Sequence, residues 1–350
     1  MIEQIVKPLL SWYRENRRTL PWREDPSPYH VWISEIMLQQ TRVEAVKEYY
    51  ARFIRELPDI AALAACQEDR LLKLWEGLGY YNRVKNMQKA AKQVAEEDGG
   101  QLPRDYQKLL ALPGIGSYTA GAVASIAYGI PEPAVDGNVF RVLARLTEDE
   151  DDILKQSTRK KVEGNLRRIM PPDEPGDFNQ ALMELGATVC VPNGAPKCND
   201  CPLNHLCGAH QKGTELDYPK KAAKKQRRIE EKTVLVIQNG QEFAICRRPP
   251  RGLLAGLYEL PNREGYVSRE EILEYIKGLG LLPLYIKEAG EAKHIFSHVE
   301  WHMKGYFIKV ASTEEKEKGK LVFVDKKESK GKYPIPSAFA AYRKYIEEDF

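Results

Sequence analysis

Four of the six cysteines fall within eighteen residues of the chain, with the spacing C-x7-C-x2-C-x5-C. In a reducing compartment, such a compact group of thiols is typical of a metal site rather than of disulfides. Tetrahedral zinc and a [4Fe–4S] cluster both accept four cysteine ligands, and the ligands alone do not choose between them. Zinc ribbons usually space two C-x2-C pairs well apart, so a single compact run favours a cluster loop. The predicted ligands are Cys190, Cys198, Cys201 and Cys207.

Composition excludes several classes of protein. A chain of 350 residues, 43% hydrophobic and 29% charged, is long enough for two or three domains and is unlike disordered, collagenous or fibrous sequences. The net charge of +3 does not by itself indicate a polyanionic partner. The longest apolar stretch, around residues 120–130, is far shorter than the roughly 20 residues that span a bilayer, and the first residues lack a signal-peptide layout. We therefore predict a cytoplasmic protein without membrane contact.

The spacing of apolar residues changes along the chain, which predicts two kinds of folded region. Up to about Leu206 the pattern is helical, broken by glycine and proline. Residues 212–232 carry eight basic and four acidic side chains and almost no large apolar ones, which is typical of an exposed basic linker. After it, a hairpin signal at Asn239-Gly240, strand-like alternation over residues 294–310 and a helix with a capping box from Ser268 predict an α+β domain.

Residues 112–129, LPGIGSYTAGAVASIAYG, are predicted to form a helix-hairpin-helix. Gly114 and Gly116 make a tight turn before a helix that begins near Ser117. Backbone N–H groups at such a helix N-terminus bind a phosphate without reading the bases. The alternative is a plain turn between two helices, because two glycines alone are weak evidence. The motif predicts DNA binding without sequence selectivity.

Two carboxyl groups are predicted to lie in environments that push their pKa values apart. Asp136 precedes the helical pattern of VFRVLARL, and at an N-cap the helix dipole and backbone donors lower its pKa and keep it charged. Glu35 lies beside an apolar helical stripe in YHVWISEIMLQQTRV, where desolvation raises its pKa and leaves it protonated near neutral pH. One acid and one anion are what glycoside cleavage uses. Taken singly, Asp136 is also consistent with a simple cap and Glu35 with a surface residue.

The order of these motifs carries a family resemblance. SEIMLQQT around Glu35, WEGLGYYNR at residues 75–83, LPGIGSYTA, VDGNVFRVLAR and the four-cysteine loop resemble the helix-hairpin-helix DNA glycosylases with an iron–sulfur cluster, specifically the MutY-type adenine DNA glycosylases. The resemblance implies a mostly α-helical catalytic region at residues 1–211, with a six-helix lobe over about 22–130 and a [4Fe–4S] lobe from 1–21 and 131–211. It also implies a linker at 212–232 and a Nudix-like α+β domain at 233–350.

The resemblance implies roles for residues of the catalytic region. Glu35 would be the acid that acts at adenine N7, and Asp136 the anion that stabilises the sugar cation. The first cysteine interval is seven residues where the family usually has six, which most simply lengthens a loop. The residues implied to hold the sugar and Asp136, or to line the pocket of the flipped adenine, are Tyr118, Asn138, Trp22, Arg23 and Gln180. At the last of these positions some family members have glutamate.

The resemblance also separates this chain from its nearest relatives and extends into the tail. The endonuclease III type carries a nucleophilic lysine where Tyr118 stands, and a phenol cannot form the Schiff base that leads to strand cleavage. The tail motifs GLLAGLYELP and FSH resemble the domain that these enzymes share with Nudix hydrolases, although Leu273 stands where the catalytic box needs a metal-binding glutamate. The residues implied to contact DNA or the base opposite adenine are Gln40, Thr41, Leu78, Tyr80, Phe296, Ser297 and His298, besides Gly114 and Gly116.

These inferences predict a monomeric, nucleoid-associated enzyme that removes adenine opposite 8-oxoguanine or guanine from double-stranded DNA and leaves an abasic site. Extruding a base costs a few kcal/mol, so residues must fill the gap and stabilise the opposite base. One alternative is a bifunctional glycosylase and lyase, or a thymine or methylpurine glycosylase, on the same fold. Another is a binding module for DNA lesions with no enzymatic activity, in which Glu35 and Asp136 would be dispensable.

Overall fold

Two structural units share the chain, and they do not follow its order. The computed structural model describes residues 2–222, 226–311 and 317–347. One unit contains the chain up to Cys66 and again from Arg83 into the linker, whereas the other contains Gln67–Asn82 together with the chain after the linker. We call them the helical unit and the sheet unit. A short segment from the middle of the helical sequence therefore belongs to the sheet unit.

The chain before the linker is helical, as its apolar periodicity predicts. Prolines begin α2, α3 and α12, where the missing N–H costs nothing and the fixed φ favours a helix start. The helices are α1 Val6–Asn16, α2 Pro21–Glu24, α3 Pro28–Leu38, α4 Val43–Glu56, α5 Ile60–Ala65, α6 Glu68–Leu74, α7 Asn82–Glu97, α8 Tyr106–Ala111, α9 Ser117–Ala122, α10 Gly137–Thr147, α11 Gln156–Ile169, α12 Pro175–Thr188 and α13 Gly208–Lys212. In the part of the chain that the structure describes, no helix is both long and apolar enough to cross a membrane.

One apolar core joins the first helix to the later helices of the helical unit. Leu9 on α1, Phe140 on α10 and Phe178 and Leu185 on α12 are buried in the same cluster. Burying apolar side chains of this size is the main favourable contribution to folding, at roughly 1.5–3 kcal/mol each. This core fixes α10 against α12, and so determines where the residue that begins α10 is held.

The predicted hairpin is present between α8 and α9. Gly114 has a φ of +77°, and a Cβ at this position would lie 2.7 Å from the Cβ of Asn86. Glycine is therefore required twice, for the left-handed backbone and for the close approach. Gly116 is the N-cap residue of α9, and a π-helical turn at Val123–Ala127 continues that helix.

After the linker the chain forms a mixed sheet with helices, and the predicted α+β architecture is confirmed. The strand order is β5-β6-β1-β2-β8-β7, with β3 beside β2 and β4 beside β1. β1 and β6 are parallel, and the other pairs are antiparallel. The elements are β1 Arg228–Asn239, β2 Glu242–Arg247, β3 Tyr258–Glu259, β4 Asn262–Glu264, α14 Arg269–Gly278, β5 Pro283–Ile295, β6 Val299–Val310, β7 Glu317–Lys318, β8 Leu321–Val324, α15 Lys326–Gly331 and α16 Lys344–Glu347.

Both faces of this sheet are covered, which explains why successive residues of β1 are buried. One face packs against Ile272 and Ile276 of α14. The other packs against the last part of the chain, including Phe339 and Tyr342. A strand buried on both faces has a continuous apolar run rather than a strict alternation, and β1 is buried without interruption over residues 232–237.

Three local predictions for this unit meet different outcomes. The capping box of α14 is confirmed, because Ser268 and Glu271 exchange both hydrogen bonds. The predicted hairpin is present, but its two loop residues are 240 and 241, since Asn239 still pairs with Glu242. The single strand expected over residues 294–310 is wrong: the chain turns back between β5 and β6, with the N–H of Phe296 donating to the carbonyl of residue 299 at 2.8 Å.

Candidate active site

Glu35 is a carboxyl group enclosed within the helical unit. It lies on α3, in a run of buried residues, and only 6% of its surface is exposed. The Tyr118 hydroxyl donates a hydrogen bond to its Oε2. Desolvation raises the pKa of Glu35 to about 7, against the lowering effects of the Tyr118 hydrogen bond and Arg23, and the nearby charge of Asp136 also raises it. The predicted upward shift of this pKa is confirmed, so the side chain can carry a proton near neutral pH.

Asp136 is the N-cap residue of α10, as its sequence position predicts. Its Oδ1 accepts the backbone N–H groups of Asn138 and Val139, each at 2.8 Å, and its Oδ2 accepts the side-chain amide of Asn138 at 2.8 Å. The expectation that the cap lowers its pKa is wrong in net direction. Burial raises the pKa of Asp136 by more than these hydrogen bonds lower it.

An open cleft in the helical unit brings the two carboxyl groups together. It holds about 1510 Å³ of empty volume, including space that is open to solvent, and Tyr118 lines it together with both carboxyl groups. Nine residues that were predicted for catalysis, adenine binding or DNA contact line this cleft, namely Glu35, Asp136, Tyr118, Asn138, Trp22, Arg23, Gln180, Gln40 and Thr41. The two carboxyl groups therefore face one space, with polar and aromatic side chains around it.

Glu184 is a cleft residue that sequence analysis missed. It lies on α12 and is only 1% exposed. Its carboxylate accepts the Nε of Arg18 at 2.6 Å and the Nη2 of Arg23 at 2.8 Å. Burial acts to raise the pKa of Glu184, yet the two guanidinium groups hold it below its usual value. Its spacing of four residues from Gln180, on the same helix face, was the available signal.

The support behind Asn138 was also missed. Arg141 donates from Nη2 to the Asn138 Oδ1 at 2.8 Å and to the Gly186 carbonyl at 2.7 Å, and from Nε to the Cys190 carbonyl at 2.8 Å. A Cβ on Gly186 would lie 2.5 Å from the Cβ of Asn138, so only glycine allows α12 to approach α10 this closely. Hydrogen bonds thus run continuously from Asp136 through two side chains to the backbone of a cysteine in the four-cysteine loop.

The remaining predicted DNA contacts lie outside this cleft. Leu78, Tyr80 and the Phe296-to-His298 turn belong to the sheet unit, whereas the two hairpin glycines belong to the helical unit. The Tyr80 side chain is exposed, and its hydroxyl lies 2.7 Å from the Oγ of Ser297. Leu78 is buried. The structure therefore pairs Tyr80 with Ser297, two residues that are more than two hundred positions apart.

The four clustered cysteines face one cavity of the helical unit. All four line it, together with apolar residues such as Leu146 and Leu185, and none of these four cysteines forms a disulfide. Burial raises the pKa of Cys198 to about 11 and that of Cys201 to about 12. Four sulfur donors around one apolar cavity fit a tetrahedral zinc ion or a [4Fe–4S] cluster. Either group carries positively charged metal that would stabilise the thiolates, which burial alone disfavours.

Other polar groups surround this loop. Arg145 donates to the Sγ of Cys190 at 3.3 Å, and its carbonyl accepts the thiol of Cys207 at 3.4 Å. Glu215 pairs with His210 at 2.8 Å, and the Cys198 thiol lies 3.5 Å from the same carboxylate oxygen. Hydrogen bonds to sulfur and charges near it are the means by which a protein tunes such a site.

Comparison with known proteins agrees with the fold. Residues 33–172 match the HhH-GPD superfamily of base excision DNA repair proteins, and residues 233–346 match the NUDIX domain. The solved structure of a thermostable thymine-DNA glycosylase is similar to 60% of this chain and 97% of its own, with a TM-score of 0.55 and 29% identity. The fold and these matches therefore define a helix-hairpin-helix DNA glycosylase of base excision repair, joined to a Nudix-like domain.

Similarity to individual proteins narrows the class to one family. An adenine DNA glycosylase of Homo sapiens is 36% identical over 352 residues, which cover 83% of this chain and 64% of that protein. An adenine DNA glycosylase of Buchnera aphidicola is 36% identical over 301 residues, which cover 84% of each. This chain belongs to the adenine DNA glycosylase family.

Proposed function

We propose that this protein is a monofunctional glycosylase that removes adenine opposite 8-oxoguanine or guanine in double-stranded DNA. The observation that carries the proposal is the pair of carboxyl groups that line one cleft, in which buried Glu35 has a pKa of about 7 and half-buried Asp136 accepts three hydrogen bonds. A neutral acid and a carboxylate held by fixed donors are suited to cleave a bond through a cation-like sugar.

The reaction begins with proton transfer from the Glu35 carboxyl to N7 of adenine. The bond between the sugar C1′ and the base then breaks, its electron pair leaves with the purine, and positive charge develops on the sugar. The Asp136 carboxylate stabilises this charge, because the donors of Asn138 and the start of α10 hold it in place before the reaction. Water adds to C1′ and returns a proton to Glu35, which leaves free adenine and an abasic site.

The cleft supplies groups for both halves of the nucleotide. Tyr118 donates to Glu35, and its own pKa is raised well above 10 by burial, so it remains a neutral donor beside the sugar. Trp22, Arg23 and Gln180 line the same space and would receive the extruded adenine. A phenol at position 118 cannot form an imine with the sugar, so the enzyme would release its product without cutting the strand.

Further residues would hold the DNA and read the opposite base. The hydrogen-bonded hydroxyls of Tyr80 and Ser297 would contact 8-oxoguanine, with Phe296 and His298 beside them. Leu78, Gln40 and Thr41 would fill the gap left by the extruded base, and the turn with Gly114 and Gly116 would bind a phosphate through its backbone N–H groups. The proposed partner is double-stranded DNA, and the enzyme would bind it as a monomer. Binding to DNA would place the enzyme at the nucleoid.

The four-cysteine loop would hold a [4Fe–4S] cluster through Cys190, Cys198, Cys201 and Cys207. When bound, such a group supplies a rigid crosslink and an electrostatic surface for DNA rather than acid–base chemistry, because four protein ligands leave no open position. The isolated protein is expected to be brown and to contain iron in place of zinc. A colourless protein with one zinc ion would contradict this assignment.

The decisive experiment uses a duplex with adenine opposite 8-oxoguanine, incubated with the enzyme and then divided into samples with and without alkali. We expect strand breaks only after alkali, since hydrolysis leaves an intact strand with an abasic site. Breaks without alkali, or a high yield of adduct trapped by borohydride, would identify a lyase. A duplex with a thymine mismatch tests the other substrate class.

The roles of the two carboxyl groups are tested by Glu35→Gln and Asp136→Asn. Each is expected to reduce adenine release by at least about 10²-fold while DNA binding survives, since one removes the acid and the other the anion. Asp59→Asn is the matched control, because Asp59 caps α5 through one backbone hydrogen bond and does not line the cleft. Full activity in either cleft variant would contradict the mechanism, whereas an unmutated protein that binds the duplex and releases no adenine would favour a binding module.

A further inference from the structure

The loop that carries Tyr80 has an unusual backbone. Gly77, Gly79 and Tyr80 have φ angles of +102°, +68° and +46°. Glycine adopts such angles easily, but a tyrosine at a positive φ is strained and persists only where its surroundings hold it. Tyr80 is also 51% exposed, so packing of its own ring does not account for its conformation.

Two hydrogen bonds within the sheet unit fix the ends of this loop. The indole N–H of buried Trp75 donates to the carbonyl of Gly79 at 3.0 Å, which closes the loop on itself. At the other end, the hydroxyls of Tyr80 and Ser297 are 2.7 Å apart. The loop therefore depends on what holds the residues immediately around Trp75.

Glu76, the residue before the first left-handed position, makes that connection. Its Oε1 accepts the backbone N–H of Ile335 at 3.1 Å, and the guanidinium of Arg343 lies 3.5 Å from the same oxygen. Its Oε2 pairs with the Lys73 ammonium at 2.7 Å. One carboxylate thus joins two cations and a backbone donor that lies more than 250 positions further along the chain.

The two cations of this group also bind the last part of the chain directly. Lys73 donates to the carbonyls of Ser329 and Tyr333, each at 3.1 Å. Arg343 donates to the carbonyl of Ile335 at 3.1 Å. The side chains of Lys73 and Glu76 are only 18% and 20% exposed, so water screens this pair less than an ordinary surface ion pair.

We propose that Glu76 is a positioning residue that sets the Tyr80 loop and, through it, the Tyr80–Ser297 pair that distinguishes 8-oxoguanine from guanine. This proposal rests on the proposed function, because it needs an enzyme that reads the base opposite adenine. Glu76 touches neither DNA nor the reacting atoms in this role. It holds the start of a left-handed loop against the segment at residues 329–343, so that the two hydroxyls meet in one geometry.

The test compares Glu76→Gln with the unchanged enzyme on two duplexes, one with adenine opposite 8-oxoguanine and one opposite guanine. Glutamine keeps the size and an acceptor for the Ile335 N–H but removes the charge that holds Lys73 and Arg343. We expect the ratio of the two single-turnover rates to fall by about fivefold, the effect of one lost hydrogen bond. Glu76→Asp, which retains the charge, should recover part of the ratio.

Asp69→Asn is the matched control. Asp69 lies on the same segment and pairs with Arg247 of the same unit at 3.1 Å, but this pair is exposed and lies a full helix away from the loop. The control should leave the ratio of rates unchanged. An equal fall in both variants would show that any weakened ion pair of this segment affects the ratio, and would overturn a specific role for Glu76.

A double-mutant cycle with Ser297→Ala separates positioning from general destabilisation. If Glu76 acts through the Tyr80–Ser297 pair, the double variant should lose no more of the ratio than Ser297→Ala alone. The proposal would be overturned if the fall in the double variant equalled the product of the two single falls, or if Glu76→Gln left the ratio unchanged. If the protein without any substitution releases no adenine from either duplex, the proposed function itself is refuted. Failure of the proposed function is therefore distinguishable from failure of the role proposed for Glu76.

Discussion

At the scale of single residues, Glu35 shows how a buried carboxyl group reduces stability. Its pKa of about 7 lies above its usual value of 4.5, so the folded state keeps the proton at pH values where the unfolded state has lost it. The free energy of unfolding therefore falls as pH rises from 4.5 through 7. A shift of this size corresponds to about 3 kcal/mol above pH 7.

Glu35→Gln should consequently be more stable than the unchanged protein at pH 8, by up to about 3 kcal/mol, and should differ little at pH 4.5. Glutamine can still accept the Tyr118 hydroxyl, so the packing of the site is retained. Denaturant unfolding at a series of pH values measures the difference. Glu44→Gln, at an exposed position of α4, is the control. A stability difference that does not change with pH would contradict the buried, neutral carboxyl.

The sequence predicts the local environment of a residue well, but it predicts poorly how deeply that residue is buried. The N-cap position of Asp136 follows from the residues next to it, and the structure confirms it. The direction of the Asp136 pKa shift does not follow from these neighbours, because the cleft walls that desolvate the carboxyl group come from distant parts of the chain. Glu184 was missed for the same reason: its partners Arg18 and Arg23 are more than 160 positions away.

At the scale of elements, the contact of α10 with α12 determines the geometry of the site. Gly186→Ala would place a methyl group 2.5 Å from the Cβ of Asn138 and displace the amide that holds Asp136. We expect a loss of about 1–3 kcal/mol in the free energy of unfolding, together with a fall in the rate of adenine release. Thermal unfolding and single-turnover kinetics measure the two effects.

Gly164→Ala provides the control for that experiment, because it adds the same methyl group inside α11 and meets no heavy atom within 4 Å. It should raise the free energy of unfolding by about 0.5–1 kcal/mol without changing the rate. If Gly186→Ala behaved in the same way, the close contact between the two helices would not be what holds Asn138.

Elements with strong local signals are the ones that the sequence predicts. The capping box at Ser268 and the turn at Gly114 depend on a few adjacent residues, and both are present. The break between β5 and β6 was not predicted, because the alternation of apolar residues continues through it. The other strands of a sheet determine which residues pair across it, and a local sequence pattern does not contain this information.

At the scale of the whole molecule, the chain has two units, and only one boundary between them lies where composition changes. The basic linker is the obvious boundary, but Gln67–Asn82 belongs to the sheet unit although it lies within the helical sequence. Its contacts reach residues more than 250 positions away, such as Tyr333 and Ile335. Contacts at this separation leave no trace in periodicity or composition, so only the structure shows them.

Native-state hydrogen exchange tests this division. Backbone amides of α6 should lose protection together with β1 and β6 as denaturant is added, and separately from α10 and α12, because a cooperative unit opens as a whole. Glu76→Gln should accelerate exchange in α6 while leaving α10 unchanged. Exchange of α6 that followed the helices of the helical unit in every condition would contradict the division.

The membership of Gln67–Asn82 in the sheet unit also has a consequence for biosynthesis. The segment leaves the ribosome before the strands and carbonyls that bind it have been translated, since Ile335 is more than 250 residues further on. At typical elongation rates it waits about 10–50 s for these partners. A nascent chain that stalls in the linker would therefore contain every residue that lines the cleft, together with an unanchored peptide that proteases and chaperones can recognise as unfolded.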